Sequence, residues 1–321
     1  MTTPPTEILL PDAPGLARAA SLLAQGGLVA FPTETVYGLG ADARNDRAVA
    51  GIFAAKGRPR FNPLIVHLPD AAAARKIAVF GDDANRLADA FWPGPLTLVL
   101  PLRPEAGISP LVTADQETIA IRVPEHPIAR ALLGTFGGPV AAPSANLSGK
   151  ISPTSAEHVL DGLNGRIAAV LDGGTCPVGL ESTIVGCGVG GPVLLRPGGL
   201  PVEAIETCLG HPVAARTGDA GITAPGQLSS HYAPVAALRL GVSAPERNEL
   251  WLGFGPDCPG ATLNLSRGGD LTEAAANLFR HLRALDAMAA PDQAVAVAPV
   301  PERGLGRAIN DRLRRAAAPR E

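Results

Sequence analysis

Between residues 27 and 68 the chain carries two apolar runs, 28–31 and 64–66, each too short for a helix and each stopping at polar side chains. Short apolar runs bounded by turn residues read as buried strands. The first empties into a loop with Thr33, Glu34, Thr35 and Tyr37, broken by Gly38 and Gly40, which permit tight backbone geometry. The second follows Lys56, Arg58 and Asn62 and closes on His67. Hydroxyls, an imidazole and two cations at neighbouring strand ends constrain the chain twice. They require a sheet, and they put a binding site at its rim.

The remaining segments extend this plan. Residues 14–25 have helical spacing and stop at Gly26-Gly27. Asp46 is placed to cap a helix through Ala55, with Val49, Ile52 and Phe53 facing inward. Prolines after Arg58 and Asn62 stiffen the loop that carries both. Residues 69–78 and 82–91 read as surface helices, and 96–101 as a strand with Phe91 and Trp92 as core anchors. Residues 118–124 alternate as a strand with Arg122 opposite Ile121 and Val123. A charge on that face either has an anionic partner or sits on an exposed edge. A strand ends at 142, and Ser144, Asn146, Ser148 and Ser152 follow. The capping box at 154–157 accounts for Ser152 as a helix-start residue but leaves Ser144 and Asn146 unexplained. Strands at 168–174, 181–186 and 192–199 follow, the middle one beginning at Glu181 and Ser182 and the last carrying Arg196.

Residues 213–234, rich in Gly, Ala, Ser and Pro, read as a linker between a larger domain at 1–212 and a small domain at 235–321. Short strands and helices alternate in the small domain, which predicts a parallel α/β unit of Rossmann-like type. A chain of 321 residues can bury a core in each domain. The net charge of −3 gives no support to a non-specific nucleic-acid or membrane binder. The amino terminus shows no secretory pattern, and no apolar run approaches the ~18 residues of a membrane span. Cys176, Cys187, Cys208 and Cys258 are scattered, which suggests neither disulfides nor a zinc site and makes a reducing cytoplasm the expectation. Only three cations are lysines, Lys56, Lys76 and Lys150, against 24 arginines. A lysine inside the 56–58 motif is therefore conspicuous.

Familiar nucleotide motifs are absent. Ser148-Gly149-Lys150 is followed by Ile151, which excludes a P-loop. The G-x-G-x-x-G at 186–191 is followed by Pro192 and another strand, so it reads as a turn. No covalent nucleophile with its base is visible. What remains is Lys56, Arg58, Asn62, Arg122, Ser144, Asn146 and Arg196, a set suited to a polyanion beside a small zwitterion. Phosphoryl chemistry needs chiefly positioning and charge stabilisation, so a missing nucleophile is no obstacle.

The ordered motifs F-PTETVYGLG, K-x-R-x-x-x-N-P-L-I-V-H, F-WPGPLT, IRVP, PSAN-SG-SPT, STI and LRPG resemble those of the YrdC family. With HYAP after the linker, the chain is similar to the family's two-domain form along essentially its whole length. The resemblance implies a large domain with a twisted mixed sheet and an open concave site. It implies synthesis of L-threonylcarbamoyl-AMP from L-threonine, bicarbonate and ATP, with pyrophosphate released. This is the first step of tRNA threonylcarbamoyladenosine formation next to the anticodon. Lys56, Arg58, Ser144 and Asn146 match the catalytic K-x-R and S-x-N signature. Arg58, Asn62, Thr118, Ser144, Ser152, Arg196 and Tyr232 match positions around ATP, and Thr35, His67, Arg122, Ala142 and Ser182 those around threonine. Tyr232 and Ala142 rest on the resemblance alone.

The implied mechanism holds threonine on Arg122 and Thr35, forms a carbamate at its amine, and lets that carbamate attack the α-phosphate. Pyrophosphate leaves against Lys56, Arg58 and Mg²⁺, and His67 is either a base or a wall of the pocket. No protein metal site is expected. The implied partners are downstream threonylcarbamoyl transferase proteins, with weak RNA binding and no membrane contact. The linker lacks the basic residues its relatives carry before HYAP, and Gly226 is expected to let it close over the site. Two rivals stay open: a non-catalytic RNA-binding module and a hydrogenase-maturation carbamoyltransferase. The latter needs zinc-binding segments that the scattered cysteines deny.

Overall fold

A computed structural model describes residues 5–188, 190–215 and 231–319. Its larger part is built on an 11-stranded sheet. The strands lie in the spatial order Glu7–Leu9, Ala169–Leu171, Val29–Phe31, Gly38–Asp42, Val140–Ala141, Ile65–His67, Thr118–Arg122, Leu96–Pro101, Thr183–Gly188, Gly191–Arg196 and Ala214–Ala215. Ile65–His67 runs parallel to Thr118–Arg122, which runs antiparallel to Leu96–Pro101. The sheet is mixed, as expected.

Alternation along the strands assigns the two faces. Ile119, Ile121 and Val66 point into the main core with Leu39, Leu96, Leu98 and Leu100. The opposite face carries Ile65, Val99, Ala120 and Ile184 as a small apolar floor. Arg122 and His67 stand beside that floor because they share the parity of Ala120 and Ile65. One residue of register slip would bury both among leucines.

Local chemistry sets the helix ends. The helix Asp46–Lys56 is capped by Asn45, whose side chain accepts from the Arg47 and Ala48 amides, while Asp46 lies in its first turn. The helix stops at Gly57, whose φ of +60° suits glycine and turns the chain toward Arg58. Ser155 caps the helix Ala156–Leu163 by accepting from the His158 amide, one residue later than the capping box predicts. Phe91 and Trp92 are half-buried at the core's margin, since the Trp92 indole is held there by its N–H donating to Leu96 O at 2.7 Å. Residues 186–191 join the antiparallel strands Thr183–Gly188 and Gly191–Arg196, so this glycine-rich stretch is a hairpin.

The second sheet has four parallel strands, Leu238–Leu240, Val295–Val297, Leu250–Gly253 and Leu263–Asn264. The helices Leu271–Met288 and Leu305–Ala317 complete the expected α/β unit. Its core takes in Val36, Ile151 and Leu180 of the larger part, so the two units share one apolar seam. The two units meet backbone to backbone at Gly179: a Cβ there would stand 2.5 Å from Ala275 O. Most of the stretch read as a linker, Gly226 included, lies outside the described residues.

Candidate active site

A cavity of ≈ 520 Å³, its open mouth included, lies over the apolar floor. Thr35, Arg58, His67, Arg122, Ala142, Ser144, Ser182, Arg196 and Tyr232 all line it, which brings together nine expected residues from eight separate segments. Glu181, His231 and Thr33 line it too.

Arg122 has its anionic partner within the chain. Nη2 donates to Glu34 Oε1, Nη1 to Thr35 Oγ1 at 2.8 Å, and Nε to Gly94 O at 3.3 Å. Glu34 Oε2 accepts from the Glu125 and His126 amides at 3.1 and 3.4 Å. Thr33 Oγ1 donates to Val36 O at 2.6 Å, so the Thr35 hydroxyl must donate to Thr33 and accept from Arg122. The guanidinium is thereby fixed in plane. Of its five N–H groups, three are used by described residues, which leaves two for a ligand carboxylate.

His67 is buried edge-on to Phe31, ring centroids 6.1 Å apart, with Nδ1 3.3 Å from Ile65 O. A carbonyl only accepts, so Nδ1 carries the proton and Nε2 is left as an acceptor. Burial, and next the Arg122 charge, pull its pKa down to about 3. His67 is neutral at physiological pH and a weak base.

The other half of the cavity is cationic. Burial, and then the nearby Arg196, lower the Arg58 pKa to about 10; burial also lowers that of Arg196. Arg58 is braced by Nη2 donating to Pro63 O at 3.0 Å and Nε to Asn62 O at 3.3 Å. Arg196 Nη2 donates to Ser182 O at 2.8 Å, and the Ser182 hydroxyl meets Thr97 Oγ1 at 2.7 Å. Two guanidiniums crowded against one low-dielectric space are relieved by an anion.

Five expected residues stand outside the lining. Lys56 is buried beneath it, its ammonium donating to Ser144 O and Asn146 O at 2.5 Å each. It braces the S-x-N loop from below, and burial, followed by Arg58, pushes its pKa well down. Asn146 turns its amide onto Leu147 O and Lys150 O, each at 2.8 Å. Asn62 is buried in the loop before the strand Ile65–His67, and Thr118 opens the strand Thr118–Arg122 that pairs with it. Thr118 is four residues from Arg122 on the same face, about 13 Å at strand rise. Ser152 donates to Glu181 Oε1 at 2.6 Å, and Glu181 Oε2 accepts from Arg312 Nε at 3.0 Å. Burial alone would raise the Glu181 pKa, but Arg312, Arg196 and the Ser152 hydroxyl hold it down at about 2. Arg312 gives no sequence signal: it is one arginine among several on an amphipathic helix.

Tyr232 is fully buried at φ +62°, stacked on Phe279 with centroids 5.4 Å apart. Among the described residues no cluster of three or more His, Cys, Asp or Glu could hold a metal ion, and no helix is long and apolar enough to cross a membrane.

Comparison with known proteins identifies the family. A family model for Sua5/YciO/YrdC proteins, described as Telomere recombination, matches residues 21–198. A second, described as Threonylcarbamoyl-AMP synthase, C-terminal domain, matches residues 200–318. The chain is 50% identical over 250 residues to threonylcarbamoyl-AMP synthase of Bacillus subtilis, covering 75% of this chain and 71% of that one. It is 41% identical over 321 residues to the Pyrococcus abyssi protein of the same name, covering 93% of each. The crystal structure of P. abyssi Sua5 complexed with L-threonine superposes with a TM-score of 0.88 at 38% identity, covering 97% of this chain and 98% of that one. The chain therefore belongs to the Sua5/YciO/YrdC family, in the form that carries the additional C-terminal domain.

Proposed function

We infer that this protein is a threonylcarbamoyl-AMP synthase, an enzyme that makes L-threonylcarbamoyl-AMP from L-threonine, bicarbonate and ATP. One observation carries the reading. A single cavity sets a carboxylate-reading arginine, Arg122, across from two crowded guanidiniums, Arg58 and Arg196, as a zwitterion beside a polyphosphate requires. A non-catalytic RNA module needs no such enclosed pairing. The names of the relatives and the threonine complex support the catalytic reading.

The threonine carboxylate takes the two N–H groups of Arg122 not used by described residues, while Ala142 and His67 wall the pocket. Neutral His67 offers Nε2 as an acceptor to the threonine amine or hydroxyl. With a pKa of about 3 it orients the substrate better than it removes a proton. The threonine amine and bicarbonate form a carbamate with loss of water. A carbamate oxygen then attacks the α-phosphorus, a C–O–P bond forms, and the P–O bond to pyrophosphate breaks. Arg58 and Arg196 meet the phosphate charge, Ser144 and Ser182 orient oxygens, and Asn62 and Thr118 flank the nucleotide's far end. Lys56 and Asn146 act one layer down, by holding the Ser144 loop rigid.

Glu181 is the lining carboxylate among the described residues, and both its oxygens are already engaged. With that carboxylate engaged, Mg²⁺ is read as entering with its substrate, as MgATP. We place the domain division within 213–234: Ala214–Ala215 still pairs with the large sheet, and Leu238–Leu240 opens the small one. The product is suited to transferases acting on tRNA, and four free cysteines fit a reducing cytoplasm.

Incubation with ATP, L-threonine and ¹³C-bicarbonate, followed by mass spectrometry, tests the assignment. A threonine-containing adenylate carrying the label is expected. ATP consumption without a labelled adenylate would refute it.

A further inference from the structure

Arg312 carries the second domain to the charged groups of the site. Arg312 projects from the helix Leu305–Ala317 and is 0% exposed. Its Nε donates to Glu181 Oε2 at 3.0 Å. Its Nη1 donates to Pro197 O at 2.7 Å and to Asp311 Oδ2 at 2.8 Å. Its guanidinium lies over the Tyr232 ring, 5.4 Å from the centroid. Glu181 and Tyr232 both line the cavity, and Pro197 follows directly on Arg196. One guanidinium thus ties together three points around the cationic half of the site.

Stability alone gives little reason for such a pair. A buried ion pair is often no better than apolar residues of the same volume, because desolvation offsets the attraction. The apolar seam between the domains, with Val36, Ile151 and Leu180 against Leu278 and Phe279, already joins them. Tyr232 meanwhile holds a backbone conformation that bulky residues avoid, at φ +62°, which persists only where its surroundings impose it. Phe279 and Arg312, both from the second domain, lie against its ring together with its chain neighbour His231.

We propose that Arg312 is a positioning residue for the nucleotide, fixing Glu181, Tyr232 and the backbone beside Arg196 so that the second domain is a working part of the site. The proposal rests on the synthase reading. Glu181 shares its carboxylate between Ser152 on one oxygen and Arg312 on the other. Without Arg312 it swings toward Arg196, whose charge it already feels, and draws that guanidinium from Ser182 O. The disturbance falls on the phosphate-binding half. Arg122, Thr35 and Glu34 share no hydrogen bond with Arg312, so the threonine half is spared.

Arg312→Met and Arg312→Lys in the full-length protein test this by pyrophosphate release with ATP and threonine varied separately. Loss of a charge-assisted contact predicts an ATP KM raised about tenfold or more in Arg312→Met, with the threonine KM within about twofold of wild type. Arg312→Lys keeps the charge for Glu181 but not the planar fork over Tyr232, and falls between. If Arg312→Met does not fold, the ATP-selective rise is read in Arg312→Lys. An unchanged ATP KM in folded Arg312→Lys, or an equal loss for both substrates that tracks the unfolded fraction, overturns the proposal. Wild-type protein with no ATP-dependent turnover overturns the synthase reading itself, and the proposal with it.

Discussion

Replacing Arg122 by leucine should separate two roles that the site assigns to one guanidinium. The first is structural. Glu34 and Arg122 form a buried pair with side chains 6% and 4% exposed. Removing one member of such a pair costs about 3–5 kcal/mol, because a charge is left buried without its partner. Glu34 Oε2 keeps the amides of Glu125 and His126, which places the expected cost near the lower end, at about 3 kcal/mol. At about 2–4 °C per kcal/mol for a domain of this size, the melting temperature should fall by about 6–12 °C. The second role is recognition. Two charge-assisted hydrogen bonds to the threonine carboxylate, at about 1.5–3 kcal/mol each, imply at least a hundredfold weaker threonine binding. The double variant Glu34→Gln/Arg122→Leu separates the roles. The side-chain carbonyl of the introduced glutamine can still accept from the two amides, and no charge is left buried without its partner. Calorimetric titration with threonine and thermal melts should show recovered stability with binding still lost. An Arg122→Leu protein that melts like wild type and binds threonine normally would refute both assignments.

Three further outcomes follow from the same geometry. Arg58→Ala should abolish pyrophosphate release while shifting the melting temperature little, since the Arg58 hydrogen bonds go only to carbonyls of its own loop; normal turnover would remove Arg58 from the phosphate site. Asn45→Ala should cost about 1 kcal/mol in a denaturant melt by uncapping the helix that ends at Lys56, and no change would deny the cap its role. The folded pKa of His67 lies near 3, below its ordinary value of 6.5, so its neutral form contributes stability above pH 6.5 that is lost as pH falls toward 3. His67→Gln should therefore flatten the acid limb of a stability-versus-pH curve across that window, and an unaltered limb would contradict a buried neutral histidine.

The cavity-lining residues are legible where strand periodicity fixes a face. Arg122 can be placed from sequence because Ile121 and Val123 have to be buried. Short apolar runs likewise identify Ile65–His67 and Leu96–Pro101, and the alternating pattern after residue 235 identifies the parallel unit. Three-dimensional pairing is not legible. Glu34 is visible as a loop residue, but nothing local joins it to an arginine 88 positions away. Lys56 reads as a phosphate cation because sequence shows a charge without its direction, and its ammonium points to Ser144 O and Asn146 O. Arg312 meets Glu181 across 131 positions, on a helix that also carries Arg307, paired with Glu203, Arg314, paired with Glu302, and Arg315, paired with Asp311. The Asn45 cap differs from the expected Asp46 because both residue types cap helices, and only the backbone decides which of them lies at the boundary.

Pyrophosphate release by the purified protein, with L-threonine and bicarbonate each present or omitted, tests the central claim most directly. The account predicts release from ATP only when both are supplied, because the carbamate that attacks the α-phosphate is assembled from the two. Release with neither present, or none under any condition, would contradict it.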